Sequence, residues 1–416
     1  MSQTIEATAA GHSPHPYRWA MLFGVWLIYF AFGLTISALA PMVGPITRDL
    51  GLSHGAMGTV LGAWPFIYIG AAVPCGILLD RIGARRALFL AACIMAASGL
   101  SRALAVDHLS LFLAVGIFGF GGPLISIGAP KIIAEWFEGK ERGFAMGIYI
   151  TGPAIGGILS LSLTNAMVLP FHGGDWRMVV TDYAAITAVA GLLWLLIARH
   201  AEARAREAAE KAAPKRPQLE IFRELMANPV IRIILAMSVG IFFFNHGTNN
   251  WLPEILKSTG MSAVDAGYWA ALPTMVGVLG SLTIPRLATP ERRGAILGGL
   301  FVLAGLCTLL LQLGEGPGLI LALIFQGLAR GSMMTIALLF LVEARGVGSK
   351  NAGSAGGLFF SAAEIGGVSG PVAIGVIHDL TGGFTVSLWV LTGVCALLLL
   401  GLVFGIIRPA AKVPVA

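Results

Sequence analysis

Two ionisable side chains stand deep inside long apolar runs: Arg330 within residues 318–343 and Glu364 within residues 352–377. A charge surrounded by hydrocarbon costs several kcal/mol and persists where it has work to do. Two chemistries fit the pair. In one, Arg330 holds an anion through its planar guanidinium fork, and Glu364 carries a proton as its surroundings change. In the other, the two form an ion pair that pins neighbouring helices together. Farther along, Phe244-Asn245-His246-Gly247-Thr248-Asn249-Asn250-Trp251-Leu252-Pro253 places five polar side chains within six positions. Gly247 and Pro253 predict a helix break there, with backbone lining a cavity and Asn245, His246 and Asn249 as solute or gate contacts. The alternative is a helix end leaving the apolar layer. Tyr29, Trp64, Tyr68, Tyr149 and Tyr268 complete the candidate contacts, although aromatic residues at such spacing also serve as packing. Lys131 lies near the end of its run, placed for its amine to reach the polar layer. Asp182 suits the first turn of a helix.

Other chemistry finds no support. The phosphate-cradling run G-x-x-x-x-G-K-[ST] is missing, so direct use of ATP is not expected. No nucleophile or metal-ligand constellation is visible, so we expect no enzyme, no cofactor and no metal; a lone His246, or His12 and His15 in the N-terminal tail, does not make a metal site. Cys75, Cys93, Cys307 and Cys395 all fall in apolar runs without a Cys-x-x-Cys pair, which reads as buried small side chains.

These residues need elements to hold them, and composition restricts the choice. Of 416 residues, 56% are hydrophobic and 12% charged, against about 25% charged in soluble domains. So few charges cannot cover a soluble globule, which excludes an ordinary soluble enzyme, a disordered chain and a disulfide-rich module. The apolar runs do not alternate as barrel strands do. In lipid each must satisfy its own backbone, so each is expected to be a helix. About 20 apolar residues cross a bilayer. Twelve such spans are expected: 18–43, 56–79, 86–104, 109–134, 142–168, 177–199, 229–252, 263–287, 293–312, 318–343, 352–377 and 383–407.

The expected organisation is a tail (1–17), a six-helix bundle (18–200), a charged central loop (201–228), a second six-helix bundle (229–408) and a tail (409–416). The first 16 residues lack the basic start and apolar core of a signal peptide, so the first span is expected to be retained. With the N-terminus in the cytoplasm, 21 of the 27 Lys and Arg fall on that side, including Arg345, Arg408 and Lys412, and four on the other: Arg48, Arg102, Arg177 and Lys257. That bias supports cytoplasmic termini. It also accounts for the formal charge of +6 without invoking nucleic acid.

The halves repeat at an offset of 209–210 residues. Leu52-Ser53 aligns with Met261-Ser262, Gly122 with Gly331, and Ile155-Gly156-Gly157 with Ile365-Gly366-Gly367. Duplicated helical units are the mark of transporters that bind their substrate where the repeats meet.

One loop adds a signature. After the second span the chain reads Gly76-Ile-Leu-Leu-Asp80-Arg81-Ile-Gly83-Ala-Arg85-Arg86. This resembles the G-x-L-x-D-R-x-G-R-[KR] loop of the major facilitator superfamily, with Ala84 where a basic residue is usual. The corresponding loop of the second half, from Gly280 to Arg293, lacks the acid. Pro130-Lys131…Glu135-Trp136-Phe137 and Gly370-Pro371…Gly375…His378-Asp379-x-Thr381-Gly382 are similar to bacterial facilitators for monocarboxylate- and cyanate-type organic anions. The resemblance implies an all-α membrane protein with twelve transmembrane helices in two pseudo-symmetric six-helix bundles. It implies a monomer in the lipid bilayer of the bacterial inner membrane, moving a small organic anion with protons as the expected coupling ion. Asp80, Arg81 and Arg85 would be gating residues. Gly152-Pro153-Ala-Ile-Gly156-Gly157 resembles the tail of a motif of facilitator drug/proton antiporters, which keeps a proton-driven exporter of a hydrophobic compound as an alternative; it also reads as helix packing at a kink. A non-transporting receptor on the same fold is a third reading, without an added soluble domain to support it.

Overall fold

The computed structural model describes residues 15–210, 218–314, 316–344 and 347–407. His12, Arg345, Arg408, Lys412, residues 211–217 of the central loop and the tail 409–416 lie outside them. Among the described residues there is no strand, and twelve helices are long and apolar enough to cross a membrane. They are α1 (Arg18–Leu50), α2 (His54–Ile82), α3 (Ala84–Ala103), α4 (His108–Trp136), α5 (Glu141–Phe171), α6 (Trp176–Ile197), α7 (Pro229–Ser258), α8 (Ala263–Leu287), α9 (Arg293–Leu313), α10 (Pro317–Glu343), α11 (Ser354–Thr381) and α12 (Thr385–Ile407). Each overlaps one expected span. Two short helices, Ala201–Glu210 and Gln218–Ala227, lie between α6 and α7.

Local sequence sets the helix starts. Ser53 accepts a hydrogen bond from the Ala56 amide before α2, and Ser262 does the same for Asp265 before α8. The repeated serines therefore cap equivalent helices. Asp107 and Ser110 form a capping box at α4. Asn228 caps α7 ahead of Pro229, whose missing N–H is harmless at a first helical position.

Small residues then let backbones touch. A Cβ added at Gly156 of α5 would lie 2.2 Å from the Phe30 carbonyl oxygen of α1. One added at Gly366 of α11 would lie 1.9 Å from the Val239 carbonyl oxygen of α7. The fifth helix of each half thus packs on the first through the same repeated glycine. The fourth packs on the second likewise: Gly122 faces the Tyr68 ring, and Gly331 faces the Gly277 backbone. The two six-helix bundles are pseudo-symmetric in contact as well as in sequence. Because backbone cannot yield as a side chain can, Gly366→Ala is expected to destabilise by about 1–3 kcal/mol. Thermal unfolding in detergent checks this, with Gly299→Ala as control, since nothing lies within 4 Å of a Cβ there.

Four sequence expectations need correction. The helix break at Gly247 and Pro253 is absent: α7 is helical from Pro229 to Ser258, with Pro253 inside it. Gly247 is there for packing instead, since a Cβ would sit 2.8 Å from Ile374 of α11. Arg102 is not at the surface. It is 2% exposed, its Nη1 donates to the Thr35 carbonyl at 3.1 Å, and its guanidinium lies 5.5 Å from the Phe118 ring centre. Thr35 lies in the last turn of the first helical segment of α1, where the negative end of the helix dipole attracts a cation. Asp182 does not cap a helix; Asp175 caps α6, and Asp182 bonds His172 at 2.6 Å. Cys75, Cys307 and Cys395 are buried, but Cys93 of α3 is exposed.

The halves touch at the face opposite the first residue of α1. There Asp379 of α11 accepts from the backbone amides of His54 and Gly55 at 3.0 and 2.7 Å. Glu254 of α7 accepts from the Gly44 amide at 3.0 Å. Asn165 of α5 donates to the Ala263 carbonyl at 3.2 Å. Gly58 and Gly375 bring α2 and α11 into backbone contact at the same level. This far face is closed.

Candidate functional site

A cavity of about 340 Å³ lies between the halves. The first half supplies Phe32, Gly33, Ile36 and Ser37 from α1, Trp64 from α2, and Ile150, Pro153, Ala154 and Gly157 from α5. The second supplies Phe242, Asn245, His246, Asn249 and Asn250 from α7, Pro273, Thr274, Gly277, Val278 and Ser281 from α8, and Arg330, Gly331, Met334 and Thr335 from α10. The wall is chemically lopsided. Apart from the Trp64 indole, Ser37 is the hydrogen-bonding side chain that the first half brings; the second half brings amides, hydroxyls, an imidazole and the guanidinium.

Among the described residues, Arg330 is the one charged group lining this cavity if His246 is neutral. Its Nη1 donates to the Thr274 hydroxyl at 2.9 Å. Among the described residues it forms no salt bridge, so Arg330 and Glu364 are not ion-paired here. The guanidinium keeps donors for something else, and Thr274 fixes its direction. The Asn245 Oδ1 is buried without a hydrogen-bond partner among the described residues. Thr274 escaped the sequence reading because nothing local marks it; only the packing of α8 on α10 brings it to Arg330.

Glu364 sits behind the wall rather than in it. It is 4% exposed, and its Oε2 lies 4.0 Å from His246 Nε2 and has no hydrogen-bond partner among the described residues. Gly367 makes room for it, since a Cβ there would lie 2.2 Å from that oxygen. The His246 ring lies between Trp64, with ring centres 5.4 Å apart, and Phe242, at 5.3 Å. Trp64, Asn245, His246, Asn249 and Arg330 therefore line one cavity. Tyr29, Tyr68 and Tyr149 do not line the cavity. Tyr29 packs edge-on against Tyr149 at 5.2 Å, and the Tyr68 hydroxyl pairs with Ser126 of α4 at 2.9 Å. Tyr268 lies away from the cavity altogether, 49% exposed on the second turn of α8, because that face of the helix points outward.

The charged loop after α2 divides its tasks. Lys131 Nζ stands 3.5 Å from Asp80 Oδ1, so Lys131 does not merely reach for water. Arg81 is exposed. Arg85 binds Glu207 of the linker helix at 3.0 and 3.1 Å and the Ala198 carbonyl at 2.5 Å. Gly83, with φ +90°, leaves space that Glu207 fills. In this state Arg85 ties the linker helix to the first half. Arg85→Ala is expected to speed tryptic cleavage at Arg199 and Arg204 severalfold; unchanged cleavage would mean that the tie is immaterial.

Residues 25–371 match the family model "Major Facilitator Superfamily". The uncharacterized transporter YycB of Bacillus subtilis is 26% identical over 93% of this chain and 94% of its own. The quinolone resistance transporter of Acinetobacter baumannii is 24% identical over 83% of each chain. The probable galactarate/D-glucarate transporter GudP of Pseudomonas putida is 28% identical over 89% of this chain and 86% of its own. Among solved structures, the nucleoside transporter NupG superposes with a TM-score of 0.75 at 16% identity, covering 94% of this chain and 98% of that one. With twelve spanning helices, duplicated halves and a family match along most of its length, the chain is a multi-pass membrane protein and belongs to the major facilitator superfamily.

Proposed function

We propose that this protein is a secondary active transporter that carries a small organic anion, a carboxylate of the sugar-acid size class, by alternating access. The observation that carries the reading is Arg330: a cation on the cavity wall, oriented by Thr274, with no acid paired to it among the described residues. A carboxylate accepts two parallel bonds from such a fork. Asn245, Asn249 and His246 are set to read hydroxyls beside it. Relatives named for dicarboxylate sugar acids favour the same substrate class. The two halves, 18–200 and 229–408, rock about this cavity in the bacterial inner membrane, with the termini in the cytoplasm and the far face outside. The state described above is then closed to the outside.

Protons are the proposed coupling ion, and Glu364 carries them. A charged carboxylate oxygen buried without a hydrogen-bond donor is costly, so its charge is tied to the arrival of water when the cavity opens. The exporter reading rests on Gly152–Gly157, and both Gly152 and Gly156 already have a packing role against α1.

Purified protein in liposomes under an imposed inward proton gradient tests the proposal. Accumulation of labelled D-glucarate or D-glucuronate above the gradient-free level is the expected result. Gradient-driven extrusion of a fluorescent hydrophobic cation, with no carboxylate uptake, would replace it with the exporter.

A further inference from the structure

At the closed far face the two halves bring together three metal-type ligands. His54 stands at the start of α2 in the first half; His378 and Asp379 stand near the end of α11 in the second. One donor atom from each lies within 4.8 Å of the others. Asp379 Oδ1 is 3.5 Å from His54 Nδ1 and 3.9 Å from His378 Nδ1. Two ligands held about 2.0–2.1 Å from one tetrahedral ion are themselves about 3.3 Å apart, so the spacing needs little change. His378 Nδ1 is buried and has no hydrogen-bond partner among the described residues. The Asp379 carboxylate accepts from the His54 and Gly55 amides and from Ser53, which leaves one of its about four acceptor positions for an ion. The imidazole rings lie 3.8 Å apart with Trp251 and Phe384 packed around them. χ2 is a broad torsion for His, so the two rings have freedom to turn their nitrogens toward one ion.

We propose that this triad binds a first-row transition ion of the zinc class and that the ion clamps the far face shut. Two imidazoles, a carboxylate and one water make a fitting tetrahedral set. His54 and Asp379 are each about one-third exposed, which leaves the water its entrance. The neighbouring charges do not compete: Glu254 is engaged by Lys257 and the Gly44 amide, and His108 pairs with Thr59 at 2.7 Å. Because the ligands come from both halves, the site exists only while the face is closed. An ion that binds one state alone draws the population into that state. Inhibition of turnover rests on the transport reading above; binding itself does not.

The test is titration of the purified full-length protein with zinc chloride, with magnesium chloride as control, read by calorimetry and by thermal unfolding. The expected result is one saturable zinc site per chain and a raised unfolding temperature, both lost in His54→Ala and in His378→Ala. In liposomes, zinc at about ten times its dissociation constant should slow uptake at least about fivefold, reversed by chelator. Each variant, compared with its own metal-free rate, should be slowed less than about twofold. No saturable site, or equal binding by either variant, overturns the proposal. Binding without inhibition overturns the clamp. Specific zinc binding in a protein that carries no anion would defeat the transport reading and leave the site standing.

Discussion

Arg330→Lys is expected to lower the initial rate of organic-anion uptake by at least about tenfold while the amount of folded protein holds. Lysine keeps the charge and loses the fork. One charge-assisted hydrogen bond contributes about 1.5–3 kcal/mol, and each 1.4 kcal/mol is about tenfold in binding. Lysine's shorter reach also abandons Thr274, the group that aims the guanidinium. The loss should appear in the apparent affinity for carboxylate, and Arg330→Met should lose uptake entirely. Thr274→Val, which leaves Arg330 in place but unaimed, should weaken uptake by a smaller factor. Uptake by Arg330→Lys at the unaltered rate would remove the residue from the substrate site. Arg330 lies in the protein interior, so thermal unfolding of each variant accompanies the assay.

Glu364→Gln is expected to separate two activities that travel together in the parent. Glutamine fills the same space beside Gly367 and His246 but cannot release a proton. Exchange of labelled for unlabelled substrate, which needs no net proton movement, should stay within about twofold of the parent rate. Accumulation driven by an imposed proton gradient should fall at least about tenfold. Equal gradient-driven accumulation by the variant would pass proton coupling to another group. A titratable alternative stands close by in His246, 4.0 Å away.

Much of the architecture was legible because the bilayer is a severe solvent. A run of about 20 apolar residues has one satisfactory backbone arrangement there. The offset between Gly156 and Gly366 marked the duplication, but that both glycines meet the backbone of the first helix of their half emerges only in the packing. The cavity was legible in part. Arg330, His246 and the asparagines of α7 stand out as polar groups in an apolar setting, and they do converge. Tyr29, Tyr68, Tyr149 and Tyr268 could not be sorted in this way, since an aromatic ring suits a cavity, a helix interface and lipid alike. Pro253 misled for a related reason: proline weakens an isolated helix, but tertiary packing keeps α7 helical through it. Thr274 and Arg102 depend on which helices become neighbours, and a single sequence carries no mark of that.

The uneven wall of the cavity has an evolutionary corollary. On the proposed anion-binding reading, recognition is concentrated in the later duplicate, whereas the earlier one offers a greasy backdrop and the anchor for the linker helix. Lineages can therefore diverge in diet by altering α7, α8 and α10 alone, without retuning the partner against which they move. Hybrid proteins that keep the second duplicate and borrow the first from a cousin should inherit the cargo preference of the second.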